Sequence, residues 1–65
     1  MTQVYFEFTR IGDIVRVSAI DEETGIETVI QGPASAGQAE LQRAALNKLR
    51  YVIRKQEEKK EDGSS

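Results

Sequence analysis

The chain of 65 residues contains no cysteine, no histidine and a single proline. Without cysteine it can form neither a disulfide framework nor a thiolate metal site, and without histidine it can build no imidazole-liganded metal centre and no His-based catalytic triad. Much of ordinary enzyme chemistry is excluded on these grounds. No stretch approaches the roughly 20 consecutive apolar residues of a membrane-spanning helix, and the opening MTQVYFEF lacks the basic start and apolar run of a secretory signal. A cytoplasmic protein with no membrane contact is the expectation. An excess of either charge is missing as well: 9 Lys and Arg stand against 11 Asp and Glu, a net charge of −2, so long-range electrostatics draws the chain to neither nucleic acid nor anionic lipid. At this length one small domain is expected, near the lower limit at which a chain without metal or disulfide buries enough apolar surface to fold alone. A second copy is a natural source of further burial.

What is present is patterned. Residues 3 to 10, QVYFEFTR, alternate, with Val4, Phe6 and Phe8 on one side and Gln3, Tyr5, Glu7 and Thr9 on the other, which predicts a half-buried strand. After Ile11 and Gly12 the alternation resumes in DIVRVSAID, with Val15, Val17 and Ala19 on one side and Ile14, Arg16, Ser18 and Ile20 on the other. A two-residue loop of Ile11 and Gly12 would set Arg10 opposite Asp13, Phe8 opposite Val15, Phe6 opposite Val17 and Glu7 opposite Arg16, pairing charges and apolar groups alike. Isoleucine suits the positive φ of such a turn poorly, so a longer, bulged loop is the alternative. Glu22 to Gly25 forms the next punctuation, with Gly25 in a left-handed position. The following IETVIQ then pairs Ala19 with Thr28 and Val17 with Ile30 and puts Ile26, Thr28 and Ile30 on the face of Val15 and Val17.

Gly32 and Pro33 read as breakers of this extended run, and Ser35 with Gln38 has the spacing of a capping box at the start of a long helix. Along it Leu41, Ala45, Leu46, Leu49, Val52 and Ile53 fall within one arc at 100° per residue. The expected architecture is α+β: a two-layer βββα domain over residues 1–58, a three-stranded antiparallel meander in the order 1-2-3 with the C-terminal helix across its apolar face. Residues 59–65 read as a charged, disordered tail.

The core leaves several groups unused. Tyr5, Ile14, Ile20 and Val29 point away from the helix, and together they form a candidate partner surface, because the patch exceeds what strand propensity alone requires. Arg43, Arg50 and Arg54 project from the helix back with Asn47 among them and Lys48 and Lys55 to one flank, an alternative basic ridge diluted by Glu40, Glu57 and Glu58. Tyr51 lies off the main stripe, either closing the core edge with its hydroxyl in water or anchoring a contact. Asp21, Glu22 and Glu23 form an acidic hairpin tip without EF-hand spacing, and Gly32 to Gln38 matches no phosphate-loop pattern. No catalytic, cofactor or metal residues are assigned.

Two resemblances add to this reading. The segment FEFTRIGDIVRVSAIDEETGIE, followed by GPASAGQAELQRAALNKLRYV, resembles a family of short alphaproteobacterial proteins known only as a domain of unknown function. It is carried by Phe6 to Phe8, Val17 to Asp21, Thr24-Gly25, Gly32-Pro33, Lys48-Leu49 and Tyr51-Val52, covers residues 4 to 53 and implies no activity. The order of elements, with paired Ala44 and Ala45 in the helix, is similar to the C-terminal part of a double-stranded RNA-binding domain. Where that family carries phosphate-binding lysines this chain has Ser35, Ala36, Gly37 and Gln38, so no RNA site is carried over. The expectation is a non-enzymatic protein-protein interaction module, homodimerising through the exposed sheet face. The alternative is a nucleic-acid-binding module using the arginine ridge.

Overall fold

A computed structural model describes residues 3–64, with side chains described over 3–58. Three strands, β1 (Val4–Ile11), β2 (Ile14–Asp21) and β3 (Glu27–Pro33), form an antiparallel sheet in the order β1-β2-β3, and after a short 3-10 turn at Ala34–Ala36 one helix, α1 (Gln38–Ser64), completes the α+β fold. The expected meander and helix are both present.

Alternation of apolar and polar residues selects the strands, and the turns select their register. In the first hairpin Ile11 pairs with Ile14, Thr9 with Arg16, Phe8 with Val17 and Glu7 with Ser18. The loop is therefore Gly12-Asp13 and not Ile11-Gly12, and the pairing is displaced by two residues from the one expected. Gly12 has φ 62 while Asp13 does not take a positive φ, the pattern of a turn with glycine at its first central position. Isoleucine can be a strand residue under this arrangement and is spared the strained conformation. Because the displacement is even, every side chain keeps its face. The second hairpin has the expected register, Ala19 opposite Thr28 and Val17 opposite Ile30. Its loop is closed by backbone bonds from the Gly25 N–H to the Asp21 carbonyl (2.8 Å) and from the Asp21 N–H to the Ile26 carbonyl (2.9 Å).

Gly32 and Pro33 do not stop the strand ahead of themselves; they are the last two residues of β3, paired with Val15 and Ile14. Glycine at position 32 serves close approach instead: a Cβ built there would lie 2.5 Å from Cδ2 of Leu41. Nor does Ser35 cap the helix, since it sits inside the 3-10 turn. That turn ends at Gly37, φ 89 and ψ 151, a conformation open essentially to glycine alone, and the Gly37 carbonyl accepts the first helical bond from the Leu41 N–H at 3.2 Å. From Gln38 to Asp62 there is no glycine or proline, and Ala, Leu, Gln, Glu, Lys and Arg dominate, all good helix formers. The backbone of α1 is continuous to Ser64; the disordered tail expected over 59–65 falls on residues whose side chains lie outside the described ones.

The core is small. Val17, Ala19, Leu41, Ala45 and Leu49 are buried, with Val4, Phe6, Phe8, Val15, Ile26, Ile30 and Ile53 packed half-buried around them. The helix runs antiparallel to β3, since Leu41 lies beside Gly32 and Lys48 bonds the Val29 carbonyl (2.9 Å). It packs on β3 and β2 and leaves β1 at the margin. Side-chain volume explains the lean: Gly32, Thr28, Ala19 and Ala45 let the backbones approach, whereas Phe6 and Phe8 stand up from β1 and hold the helix off. At about 1.5 Å per residue the 27-residue helix spans roughly 40 Å, while eight-residue strands span about 26 Å, so the helix overruns the sheet and the molecule measures 47 × 18 × 16 Å.

Candidate binding surface

With one helix on one face, no described element covers the opposite face of the sheet. Three cross-strand rows and a terminal one define it: Tyr5, Ile20 and Glu27; Glu7, Ser18 and Val29; Thr9, Arg16 and Gln31; and at the far end Ile11, Ile14 and Pro33. Tyr5, Ile14, Ile20 and Val29 all lie on this face, and the structure sorts them into two groups. Tyr5 and Ile20 are directly opposite each other, and Val29 is diagonal to Ile20 on the next strand. Ile14 is six residues along β2 from Ile20, about 20 Å away at 3.3 Å per residue. Its neighbour is Ile11, a residue the sequence reading left in the loop. Among the described residues Ile11 is the most exposed large apolar side chain at 66%, against 56% for Tyr51, 50% for Tyr5 and 45% for Ile14. The signal that could have found it is Gly12-Asp13, which fits a tight turn better than Ile11-Gly12.

Between the two apolar groups lies a shallow hollow of about 290 Å³, lined by Glu7, Thr9, Ile11, Arg16, Ser18, Glu27 and Val29. The expected Glu7–Arg16 pairing is absent, because Arg16 is opposite Thr9 and Glu7 opposite Ser18. At the other end the Tyr5 hydroxyl donates to Oε2 of Glu22 at 2.6 Å and ties β1 to the second hairpin loop. That bond to the carboxylate, with a smaller contribution from desolvation, holds the phenol above its usual pKa of 10.0.

The acidic tip is not one cluster. Asp21 sits on the core side of β2, only 1% exposed, and its Oδ2 accepts from the Thr24 hydroxyl at 2.8 Å while that hydroxyl accepts from the Ile26 N–H at 3.2 Å. Among the described residues Oδ1 of Asp21 and Oγ1 of Thr28, both buried, have no hydrogen-bond partner. Glu22 and Glu23 remain outside, and among the described residues no three acidic side chains converge on a point.

On the helix, Arg43, Arg50 and Arg54 are exposed on one line, about 10 Å and about 6 Å apart along the axis. Arg43 lies 4.0 Å from Glu40 in an exposed pair. Lys48 does not flank this ridge; it is bound to the edge of β3. Tyr51 does not close the core either, being exposed with the Lys55 ammonium 5.7 Å from its ring centroid, and Lys55 also approaches Glu58 (3.8 Å).

Fold and surface together define a class: a small α+β protein built of one open sheet and one helix, whose uncovered sheet face carries exposed apolar side chains around a shallow polar hollow. The chain belongs to the family described as a domain of unknown function, DUF6898, whose model matches residues 1–56. Comparison with curated proteins and with solved structures found no match. Membership of an uncharacterised family agrees with the resemblance read from the sequence, and nothing in the comparisons supports a link to double-stranded RNA-binding domains. Among the described residues no helix is long and apolar enough to cross a membrane.

Proposed function

We propose that the protein is a non-enzymatic, cytoplasmic binding module that holds another protein, or a second copy of itself, on the uncovered face of its sheet. The observation that carries this reading is the exposure of Tyr5, Ile11 and Ile14 on one face, beside half-buried Ile20 and Val29. Apolar groups gathered on a flat, solvent-facing sheet, with Glu7, Arg16 and Glu27 between them to fix orientation, have the make-up of a protein contact. An active site is disfavoured by the lack of His and Cys and by the openness of the hollow. The test is to compare Ile20→Lys and Val29→Lys with the wild type in sedimentation and in capture of a partner from the native organism. Both variants should retain the fold by circular dichroism and lose the partner. Undiminished capture by both would refute the reading.

A second reading rests on the alignment of Arg43, Arg50 and Arg54, which could grip phosphates at the spacing given. It expects binding to RNA or DNA that is lost in the triple alanine variant. On a duplex the logarithm of the affinity should fall against log salt with a slope of about −2.7 if each arginine neutralises one phosphate. The net charge of −2 weighs against it, and no binding at low salt would remove it.

A further inference from the structure

The two outer edges of the sheet are finished differently. The Gln3 carbonyl accepts from the Glu22 N–H at 3.0 Å, so Gln3 points into the sheet, and by the alternation of an antiparallel ladder Tyr5, Glu7, Thr9 and Ile11 do the same. Val4, Phe6, Phe8 and Arg10 then direct their N–H and C=O groups outward, where no described hydrogen bond meets them. On the far edge Lys48 occupies the Val29 carbonyl and Pro33 has no N–H to offer, two common ways of closing a strand to further pairing. Beside the open edge Val4, Phe6 and Phe8 are only half-buried, because the helix leans away from them.

We infer that a second copy of the chain pairs antiparallel along β1, centred on Phe8, to make one continuous six-stranded sheet. Self-complementarity selects both the occupant and the register. Centring on Glu7 would place Glu7 opposite itself, a like-charge pair, and centring on Phe6 would run Ile11 past the end of the pairing. Centring on Phe8 sets Phe8 against its own copy, Phe6 against Arg10, Glu7 against Thr9 and Tyr5 against Ile11. The two most exposed apolar side chains of the sheet, about 20 Å apart in one copy, then meet across the seam. With Ile20 beside Tyr5 and Ile14 beside Ile11, the row Ile20, Tyr5, Ile11, Ile14 runs unbroken from one copy into the other. Charge agrees: Arg16 stands beside Thr9, so it shares a row with Glu7 of the second copy, and neither has an ion-pair partner within its own chain among the described residues. The inference draws on the apolar residues of the proposed surface but depends on the backbone edge, which a partner seated on the sheet face would not use.

The full chain should sediment as a dimer at high concentration. Amide exchange at Phe6, Phe8 and Arg10 should slow as the concentration rises, and an isotope-filtered spectrum of mixed labelled and unlabelled chains should connect Glu7 to Thr9 of the other copy. Arg10→Pro removes an outward N–H that closes no bond within the chain, and should weaken association by about tenfold or more while leaving circular dichroism unchanged. If that variant fails to fold, amide exchange and the filtered contacts of the wild type decide alone. A chain that stays monomeric at millimolar concentration overturns the inference, as does a dimer whose outward β1 amides exchange at the monomer rate. A dimer broken by Val29→Lys and untouched by Arg10→Pro would also overturn it, and would place the contact on the sheet face instead.

Discussion

β3 and β1 are the two edges of one sheet, drawn from similar alternating sequence, yet one lies under the helix and is blocked to further pairing at two points, and the other is open. β3 carries Gly32 and Thr28 toward the helix; Leu41 settles over the glycine, and Lys48 reaches the Val29 carbonyl. In the same cross-strand rows as Thr28 and Gly32, β1 carries Phe6 and Arg10, and Phe6 and the next residue on that face, Phe8, remain half-buried. The lesson is that small residues, more than large ones, decide where a lone helix settles on a sheet. Large apolar groups supply area, but they also hold the helix at a distance, and in a chain this short one helix cannot cover three strands.

The most direct way to break the helix-covered side is Leu49→Ala. Leu49 is fully buried between helix and sheet, and its truncation should cost about 3 kcal/mol, read from chemical denaturation. A chain of 65 residues has a total stability on the order of 3–10 kcal/mol, so the variant should lose about a third of it or more and at the low end of that range would be about half unfolded. Gly32→Val attacks the same side from the sheet. The new branched side chain must displace Leu41, and about 2 kcal/mol should be lost, with the helix resonances shifting in NMR spectra while the first hairpin keeps its own.

Phe8→Ala makes the matching cut on the open side. Although it removes more atoms than Leu49→Ala, it should cost less, about 1.5 kcal/mol in dilute solution, because Phe8 is only half-buried within one chain. An equal or greater loss would show β1 to be as well covered as β3. Lys48→Met sharpens the comparison further by freeing the Val29 carbonyl while keeping the aliphatic stem. Its expected cost is only about 0.5 kcal/mol, but the chain should begin to associate through β3 as well, visible as species larger than a dimer in sedimentation.

The smallest effect concerns the Tyr5 hydroxyl at the end of the open strand. Bonding to Glu22 favours the protonated phenol, so the folded-state pKa lies above the unfolded value of 10.0. The contribution of this bond is therefore present below pH 10 and is lost as the pH rises through the folded-state value. In a Tyr51→Phe background, ultraviolet titration should place Tyr5 above its ordinary value, and Glu22→Gln should move it back down. No difference between the two would show the bond to be unoccupied in solution.

Much of this was legible in the residues and some of it was not, for reasons that can be named. The faces of all strands follow from alternation, because a period of two is written in the side chains themselves. The first register was not legible, since Ile11-Gly12 and Gly12-Asp13 loops differ by an even shift and bury the same set. Only the backbone preference at Gly12 separates them. The helix start was misplaced because Ser35 and Gln38 have the spacing of a capping box, while the Gly37 conformation belongs to the preceding turn. Of the proposed surface, Tyr5, Ile14, Ile20 and Val29 were visible as outward positions, but Ile11 was hidden by the misplaced loop. That Lys48 belongs to a sheet edge and not to the basic flank depends on where the helix lies, which no local pattern contains.

By itself, then, the order of residues determined the three strands and their faces, the long helix with its apolar stripe, and the meander order, all properties set by neighbours within a few positions or by short loops. Tertiary structure alone decided that the helix leans on β3, that Gly32 is a contact and not a break, that Asp21 is buried while Glu22 holds Tyr5, and that Lys48 blocks one edge of the sheet while no described side chain blocks the other. Those depend on how volumes from distant segments fit together, and such fits are defined only once the layers are stacked.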